Sequence, residues 1–484
     1  MLIAIVGAGW NGCHLACELS KEGHQVMLLD REHQIFNGTS GCFGIRLHRG
    51  PHYPRSKATR VNCQKGFERF RNRYANLVVE HEFSIYANGN VDSQNFPSKV
   101  SDETFKQVCM EYPGCREVDM ATYGLAEAGC AYDLDEPSIA IGARARAHFE
   151  QELAEAGVGV VLGANVLSIR RLSAISGHGR PNTAIIFRRN RSAVATMFAH
   201  VVINCTGFQH FVPKDVFNPS SLVYFEYAYQ ACLALRYKDN APSASNKPVS
   251  YICMDGWFPC LMPAVAGKNG DATSHRDYIL THGAFTILGS FNTVDKAKHI
   301  LGTLTDEIVA KYVRQPAESE MCRFWPKFSS RFSYEGWYGT VLAKPKCPSE
   351  FRSSFAFENQ GIIHVFPGKV SNVFDVSDEV MSLLQTRNTA SAPLVLEAAG
   401  SRVVANGVFD TARTELRKKA TEEDRNTCSL QTLEAVVASM KCETLGFGAE
   451  CESRHLTRTT MTAGTCVTGI KLNRELRSRA MSLH

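Results

Sequence analysis

Ile3-Ala4-Ile5-Val6-Gly7-Ala8-Gly9-Trp10-Asn11-Gly12, followed through a helical stretch to Val26-Met27-Leu28-Leu29-Asp30, decides the fold. A short run rich in β-branched residues passes directly into glycines at G-x-G-x-x-G spacing. Gly7 makes the tight turn out of the strand, Gly9 lets the backbone approach a pyrophosphate, and Gly12 lets the next helix pack on the sheet. That helix runs through Ala16 and Leu19 and stops at Gly23, with its first amides and its dipole aimed at the phosphates. Asp30 ends the second strand, where a carboxylate can accept hydrogen bonds from ribose hydroxyls. A glycine triplet alone is weak, but strand, helix, stop and carboxylate together describe a complete βαβ unit for a dinucleotide.

Working outward, a chain of 484 residues is too long for one ordinary core and implies two or three domains. With 44% hydrophobic and 21% charged residues it has the composition of a soluble globular protein. No apolar run reaches the roughly eighteen residues of a membrane helix, and Met1 leads straight into a strand without a basic leader, so a cytoplasmic protein is expected. The 17 cysteines are scattered, with no C-x-x-C pair and no metal-like spacing, and read as reduced, buried small hydrophobes. A net charge of +5 is modest for this length and fits an anionic ligand as well as any nucleic acid, so it discriminates little; no nucleic-acid partner is expected.

After Asp30 and Arg31, Gly38-Thr39-Ser40-Gly41 offers hydroxyls and free amides near the same phosphates. The stretch from Ile45 to Arg55 is dense in titratable groups and broken by Gly and Pro, the composition of a loop lining a site; Arg46, His48, His52 and Tyr53 cluster there. Residues 61–129 read as an insertion or cap, with a helix carrying Phe67, Phe70 and Tyr74 and a strand over Glu82 to Ala87. A helix is expected from Asp135-Glu136-Pro137 to about Ala156, then strands over 159–161, 164–169, 183–188 and 200–204, the last ending in Cys205-Thr206-Gly207. Long β-rich runs over 222–237, 250–254 and 278–288 suggest an antiparallel second domain, followed by a helix capped by Asn292 or Thr293 and ending near Tyr312. Strands over 332–344 and 361–366, the turn Pro367-Gly368-Lys369 and a helix over 374–384 repeat the strand, glycine turn, helix order of the opening. Beyond about Thr386 the periodicity fades into a basic tail.

On the opening unit, the Cys205-Thr206-Gly207 strand end and the Gly368-Lys369 turn, the chain resembles the D-amino-acid-oxidase-like (DAO) family of FAD-dependent oxidoreductases, with a glutathione-reductase-type FAD domain. The resemblance implies an α/β fold, a Rossmann-like FAD-binding domain with a parallel sheet plus an antiparallel-sheet (α+β) substrate domain. The expected layout is a discontinuous FAD domain over 1–60, 130–215 and 345–386, the insertion at 61–129, the substrate domain at 216–344 and a weakly ordered basic extension at 387–484. It implies FAD held by Gly7, Gly9, Gly12, Asp30, Arg31, Thr39, Ser40, Val166, Thr206, Gly207, Gly368 and Lys369, with Val166 beside the adenine. Where the family often has Arg-Pro, Thr-Pro-Asp-Gly and Gly-His, this chain has Lys344-Pro345, Cys347-Pro348-Ser349-Glu350 and Gly368-Lys369. Lys344 thus stands where an arginine commonly holds a substrate carboxylate, and it lacks the planar fork; Arg331 and Arg352 are alternatives.

The expected chemistry is hydride transfer to flavin N5 from a carbon bearing an amine or hydroxyl, in a small amine, amino acid or hydroxy acid, neutral or anionic, with O2 or another acceptor taking the electrons. Lys369 would stabilise the reduced flavin, and His48 or His52 would take the proton of an alcohol. His48 and Cys42 are candidates for covalent attachment to flavin. The catalytic candidates are therefore His48, His52, Lys344, Lys369 and Arg352, with no metal. A flavin monooxygenase using NAD(P)H and a non-catalytic flavin-binding or interaction protein are the alternatives; against the former, Pro367-Gly368-Lys369 replaces the Gly-Asp pair that flavin hydroxylases of related fold use before their last helix.

Overall fold

The computed structural model describes residues 1–389 apart from 94, 173–180, 190–192, 217–224, 268–274 and 347–351. Cys347-Pro348-Ser349-Glu350, the start of the run expected from Leu222, and the basic extension beyond residue 389 lie outside the described residues.

β1 (Leu2–Val6) lies inside a six-stranded sheet in the order Phe355–Asn359, Ile362–Phe366, Val201–Asn204, β1, β2 (Gln25–Leu29), Gly159–Val161. Every neighbouring pair is parallel except the first. The central strand β1 is apolar without interruption because both its faces are covered. Ile3 and Ile5 pack with α1 (Trp10–Lys21) and the helices Gly142–Glu155 and Val373–Thr389. Ala4 and Val6 point the other way, onto an antiparallel meander of Ala164–Arg171, Thr183–Arg189 and Val194–Ala199. The last of these strands was not foreseen, since five of its six residues are exposed or half-buried and show no clean alternation.

The second sheet has nine strands. Its spine is the antiparallel pairing of Tyr227–Asp239 with Phe332–Pro345, from Tyr227 opposite Pro345 to Asp239 opposite Phe332, with a register shift between Arg236 and Tyr237. The run expected over 278–288 is two strands, Asp277–His282 and Ile287–Phe291. Residues 61–129 divide between the layers: Phe67, Phe70, Tyr74, Leu77 and Val79 share the buried cluster of Ile3 and Ile5, whereas Phe83–Asn88 and Arg116–Glu117 join the nine-stranded sheet.

Two expected helices differ. That over 135–156 begins only at Gly142, because Glu136 precedes a proline, which disfavours helical backbone, and Ser138–Ile139 pair with β3 (Ile45–Arg46) and Val78–Val79. The helix capped by Thr293 ends at Gly302; Thr305 caps a new one, which runs through a π turn at Ala310–Arg314 to Phe324.

Glu379, on the last helix, buries its carboxylate, which accepts the Ala356 amide at 2.6 Å. Burial, seconded by Asp375 and Asp378, pushes its pKa up to about 8. A raised carboxyl favours the protonated folded state, so this group's stabilisation is complete below the ordinary carboxylate pKa and is lost as pH rises toward 8. The melting temperature is therefore expected to fall between pH 5 and about 8 in the wild type and to fall less in Glu379→Gln; parallel curves would exclude Glu379 as the cause.

Candidate active site

The nucleotide end is built by the opening turn. Gly7 has φ +107°, and a Cβ there would sit 2.5 Å from the Cys205 carbonyl oxygen, so only glycine lets the two strand ends meet. A Cβ at Gly12 would overlap the Gly7 carbonyl oxygen. Gly9 caps α1 without a side-chain hydrogen bond, and no acidic residue occupies the first turn, which leaves amides and dipole for an anion. Asp30 Oδ2 accepts the Ala8 amide at 2.6 Å and Oδ1 the Glu32 amide at 2.8 Å, fixing the carboxylate at the cavity wall.

From here a cavity of about 880 Å³ runs to the second sheet, near the upper end of the usual range for small-molecule sites. Gly7, Gly9, Asp30, Arg31, Thr39, Ser40, Val166, Thr206, Gly207, Gly368 and Lys369 line it, while Gly12 stands behind the turn. Arg31 is half tied to Glu32 and His210, and the Thr39 hydroxyl meets that of Thr340 at 2.6 Å. His48, His52, Lys344 and Arg352 line the same cavity, so the five catalytic candidates come from three separate parts of the chain to one end. Lys344 and Arg352 both bear on the Cys232 thiol, and the Lys369 amide donates to the Arg352 carbonyl at 3.0 Å. Arg331 does not belong here: Asp239 holds it in a two-pronged pair at 2.9 and 2.6 Å, because the buried Asp239 requires a counter-charge. Cys42 is exposed in an adjoining pocket and does not line this cavity.

The Lys369 ammonium lies 4.3 Å from the centre of the Tyr53 ring, and burial draws its pKa down to about 7. His48 and His52 stack at 4.3 Å and 15°. Burial lowers both well below the ordinary imidazole value, with Lys369 and Arg46 adding to the effect on His48 and His48 and Lys369 to that on His52. His48 Nδ1 contacts Glu136 Oε2 at 3.0 Å, a buried carboxylate that also accepts the Tyr86 hydroxyl at 2.5 Å and the Arg49 amide at 2.6 Å.

Three members of this end escaped sequence reasoning as site residues. Arg46 was noted only as part of a cluster; it is buried, with its guanidinium 5.1 Å from the Tyr86 ring centre. The Tyr86 hydroxyl, as a weak partner, and the Glu136 charge hold it charged, while none of its three nitrogens has an acceptor in ordinary hydrogen-bond geometry among the described residues. Glu136 and Tyr86 lay in an expected helix start and an expected insertion, and no local pattern ties them to His48. The turn that directs Arg46 inward is legible in retrospect, since the Gly44 position leaves no room for a Cβ against the Pro263 carbonyl.

A glycine cradle at a helix start, a carboxylate at the end of β2 and a long cavity ending in cations fit FAD. The sequence of residues 3–366 matches the family model described as FAD dependent oxidoreductase (DAO). The chain belongs to this FAD-dependent oxidoreductase family. Within it, the chain is 44% identical over 437 residues to the FAD-dependent monooxygenase kojA of Aspergillus flavus, covering 90% of this chain and 98% of that protein. It is 26% identical over 391 residues to the FAD-dependent monooxygenase FPY4 of Fusarium mangiferae, covering 79% and 90%. The fold is shared with glycine oxidase from Geobacillus kaustophilus (TM-score 0.52, 14% identity, 82% of this chain and 96% of that one). It is shared as well with NikD, an unusual amino acid oxidase essential for nikkomycin biosynthesis (TM-score 0.55, 12% identity, 78% and 93%). The protein is thus an FAD-dependent oxidoreductase, and no helix among its described residues is long and apolar enough to cross a membrane.

Proposed function

We propose that this DAO-family enzyme oxidises a small polar molecule at a carbon bearing a hydroxyl or an amine, with a hydroxy acid or amino acid as the class the site fits best. The observation that carries the reading is the concentration of cations along the cavity, above all the buried Arg46 guanidinium, whose nitrogens have no acceptor in ordinary hydrogen-bond geometry among the described residues. A planar donor fork in a desolvated wall matches a carboxylate or another oxygen-rich group. FAD, when bound, supplies the hydride acceptor. The chain's residues orient the substrate through Arg46, Lys344 and Arg352, place positive charge at Lys369, and offer His48 and His52 as neutral imidazoles to receive a proton.

The relatives' names support a second reading, a monooxygenase that takes electrons from NAD(P)H and consumes O2. Mixing the yellow holoenzyme anaerobically with hydroxy acids and amino acids, and separately with NADH and NADPH, distinguishes them. Bleaching of the flavin by an organic substrate alone supports oxidation. Bleaching by the nicotinamides alone supports the monooxygenase and overturns the first reading, and bleaching by none supports a non-catalytic role.

The site also predicts a pH dependence. Lys369 is cationic below about pH 7 and neutral above it, so affinity for a carboxylate ligand should fall as pH rises through 7. In Lys369→Met the affinity should start low and lose that dependence; an unchanged profile would remove Lys369 from the anion site.

A further inference from the structure

We infer that Glu136 is a positioning residue: with Tyr86 and the Arg49 amide it fixes the tautomer of His48 so that Nε2 is the base, and the substrate carbon that reacts therefore carries a hydroxyl. This rests on the oxidation reading above and narrows it from hydroxyl or amine to hydroxyl.

Glu136 is buried, and both its oxygens are engaged: Oε1 accepts the Arg49 amide at 2.6 Å, Oε2 accepts the Tyr86 hydroxyl at 2.5 Å, and His48 Nδ1 lies 3.0 Å from Oε2. Burial raises the Glu136 pKa, and the Arg46 charge, the Tyr86 hydroxyl and the Arg49 amide act against that rise; two definite donors and a neighbouring cation are the surroundings in which a buried carboxyl serves as an acceptor. An acceptor-only group opposite Nδ1 compels that nitrogen to carry the proton. Nε2 then holds a lone pair and makes no hydrogen bond among the described residues, on a ring that lines the cavity. His52 stacked on the ring and Tyr53 edge-on at 5.4 Å prevent the imidazole from turning over.

An imidazole fixed in this way has a use only if the substrate must lose a proton. A free amine needs little such help, whereas an alcohol does. The hydroxyl proton passes to Nε2, the hydrogen on the same carbon leaves with its electron pair to the flavin, and the oxygen's electron pair completes the carbonyl, leaving an imidazolium paired with Glu136. The groups facing His48 are Glu136, Tyr86, Arg46, His52 and Lys369, so each bears on its titration.

The test begins with the protein and needs no substrate. In ¹⁵N-histidine-labelled holoenzyme, long-range ¹H–¹⁵N spectra should show His48 protonated at Nδ1 and bare at Nε2. Glu136→Gln should move the proton to Nε2, and Glu136→Asp should keep it on Nδ1. A Glu136→Gln spectrum identical to the wild type overturns the inference; if that variant does not fold, a bare Nδ1 in the wild type does so as well. Flavin reduction by glycolate, lactate, malate or glycerol should then slow about 100-fold in Glu136→Gln, the scale of lost general-base catalysis, while Glu136→Asp recovers part of it. Reduction by glycine, alanine or aspartate at wild-type efficiency, with none by their hydroxy counterparts, overturns the hydroxyl assignment. His48→Asn separates the two levels: wild-type reduction in that variant refutes the base, whereas a slow His48→Asn beside a normal Glu136→Gln refutes only the positioning role.

Discussion

Gly12→Ala is expected to yield protein that neither carries nor takes up FAD. The methyl group would fall on the Gly7 carbonyl oxygen, a backbone atom at the start of the same turn, so no side-chain rotation can relieve the overlap. Relief requires either α1 to lift from the sheet or the Gly7 turn to open, and Gly7 is itself pinned against the Cys205 carbonyl. Overpacking of this kind costs about 1–3 kcal/mol where a core can adjust, which converts to roughly 10- to 100-fold in affinity; a turn with backbone on both sides lies at or beyond the upper end. Gly302→Ala is the control, because a Cβ there meets nothing within 4 Å. It should remain yellow. FAD affinity of Gly12→Ala within threefold of the wild type would show that the turn does not set the cofactor site.

The second large effect is expected at Arg46. Two consequences of Arg46→Met oppose each other in stability. The substitution removes a buried guanidinium whose nitrogens have no acceptor in ordinary hydrogen-bond geometry among the described residues, which relieves a desolvation cost, and it deprives Glu136 of a counter-charge. Glu136 keeps its three partners, so the two terms should nearly cancel and the melting temperature should move by only a few degrees. Function has no such compensation. A substrate oxyanion left without its fork loses about 2–5 kcal/mol, and flavin reduction at limiting substrate should fall by about 10²- to 10³-fold. Arg46→Lys should recover only a small part, since an ammonium keeps the charge and loses the planar pair of donors. A loss of less than about threefold for anionic substrates in Arg46→Met would exclude it from the binding site.

The boundary between the legible and the illegible runs along contact order. The βαβ unit from Ile3 to Asp30 was legible because its turn, helix and carboxylate lie within one short segment and each obeys a local rule. So was the loop holding His48 and His52, whose density of titratable groups marks it without a partner. The nine-stranded sheet was legible as β texture, yet its register was not: Phe83–Asn88 pairs in parallel with Val249–Met254, far away along the chain.

The sequence by itself therefore determined that this chain binds a dinucleotide, and the Gly207 and Gly368 segments pointed to a cofactor long enough to be FAD, because glycine placement is a backbone requirement that the residue type reveals directly. Tertiary structure alone decided the character of the catalytic end. Glu136 stands 88 positions from His48, and neither residue carries a local sign of the other. Burial made the difference: it removed water from Arg46, Glu136 and His48 together, leaving each polar group to be satisfied by its neighbours or by what enters the cavity.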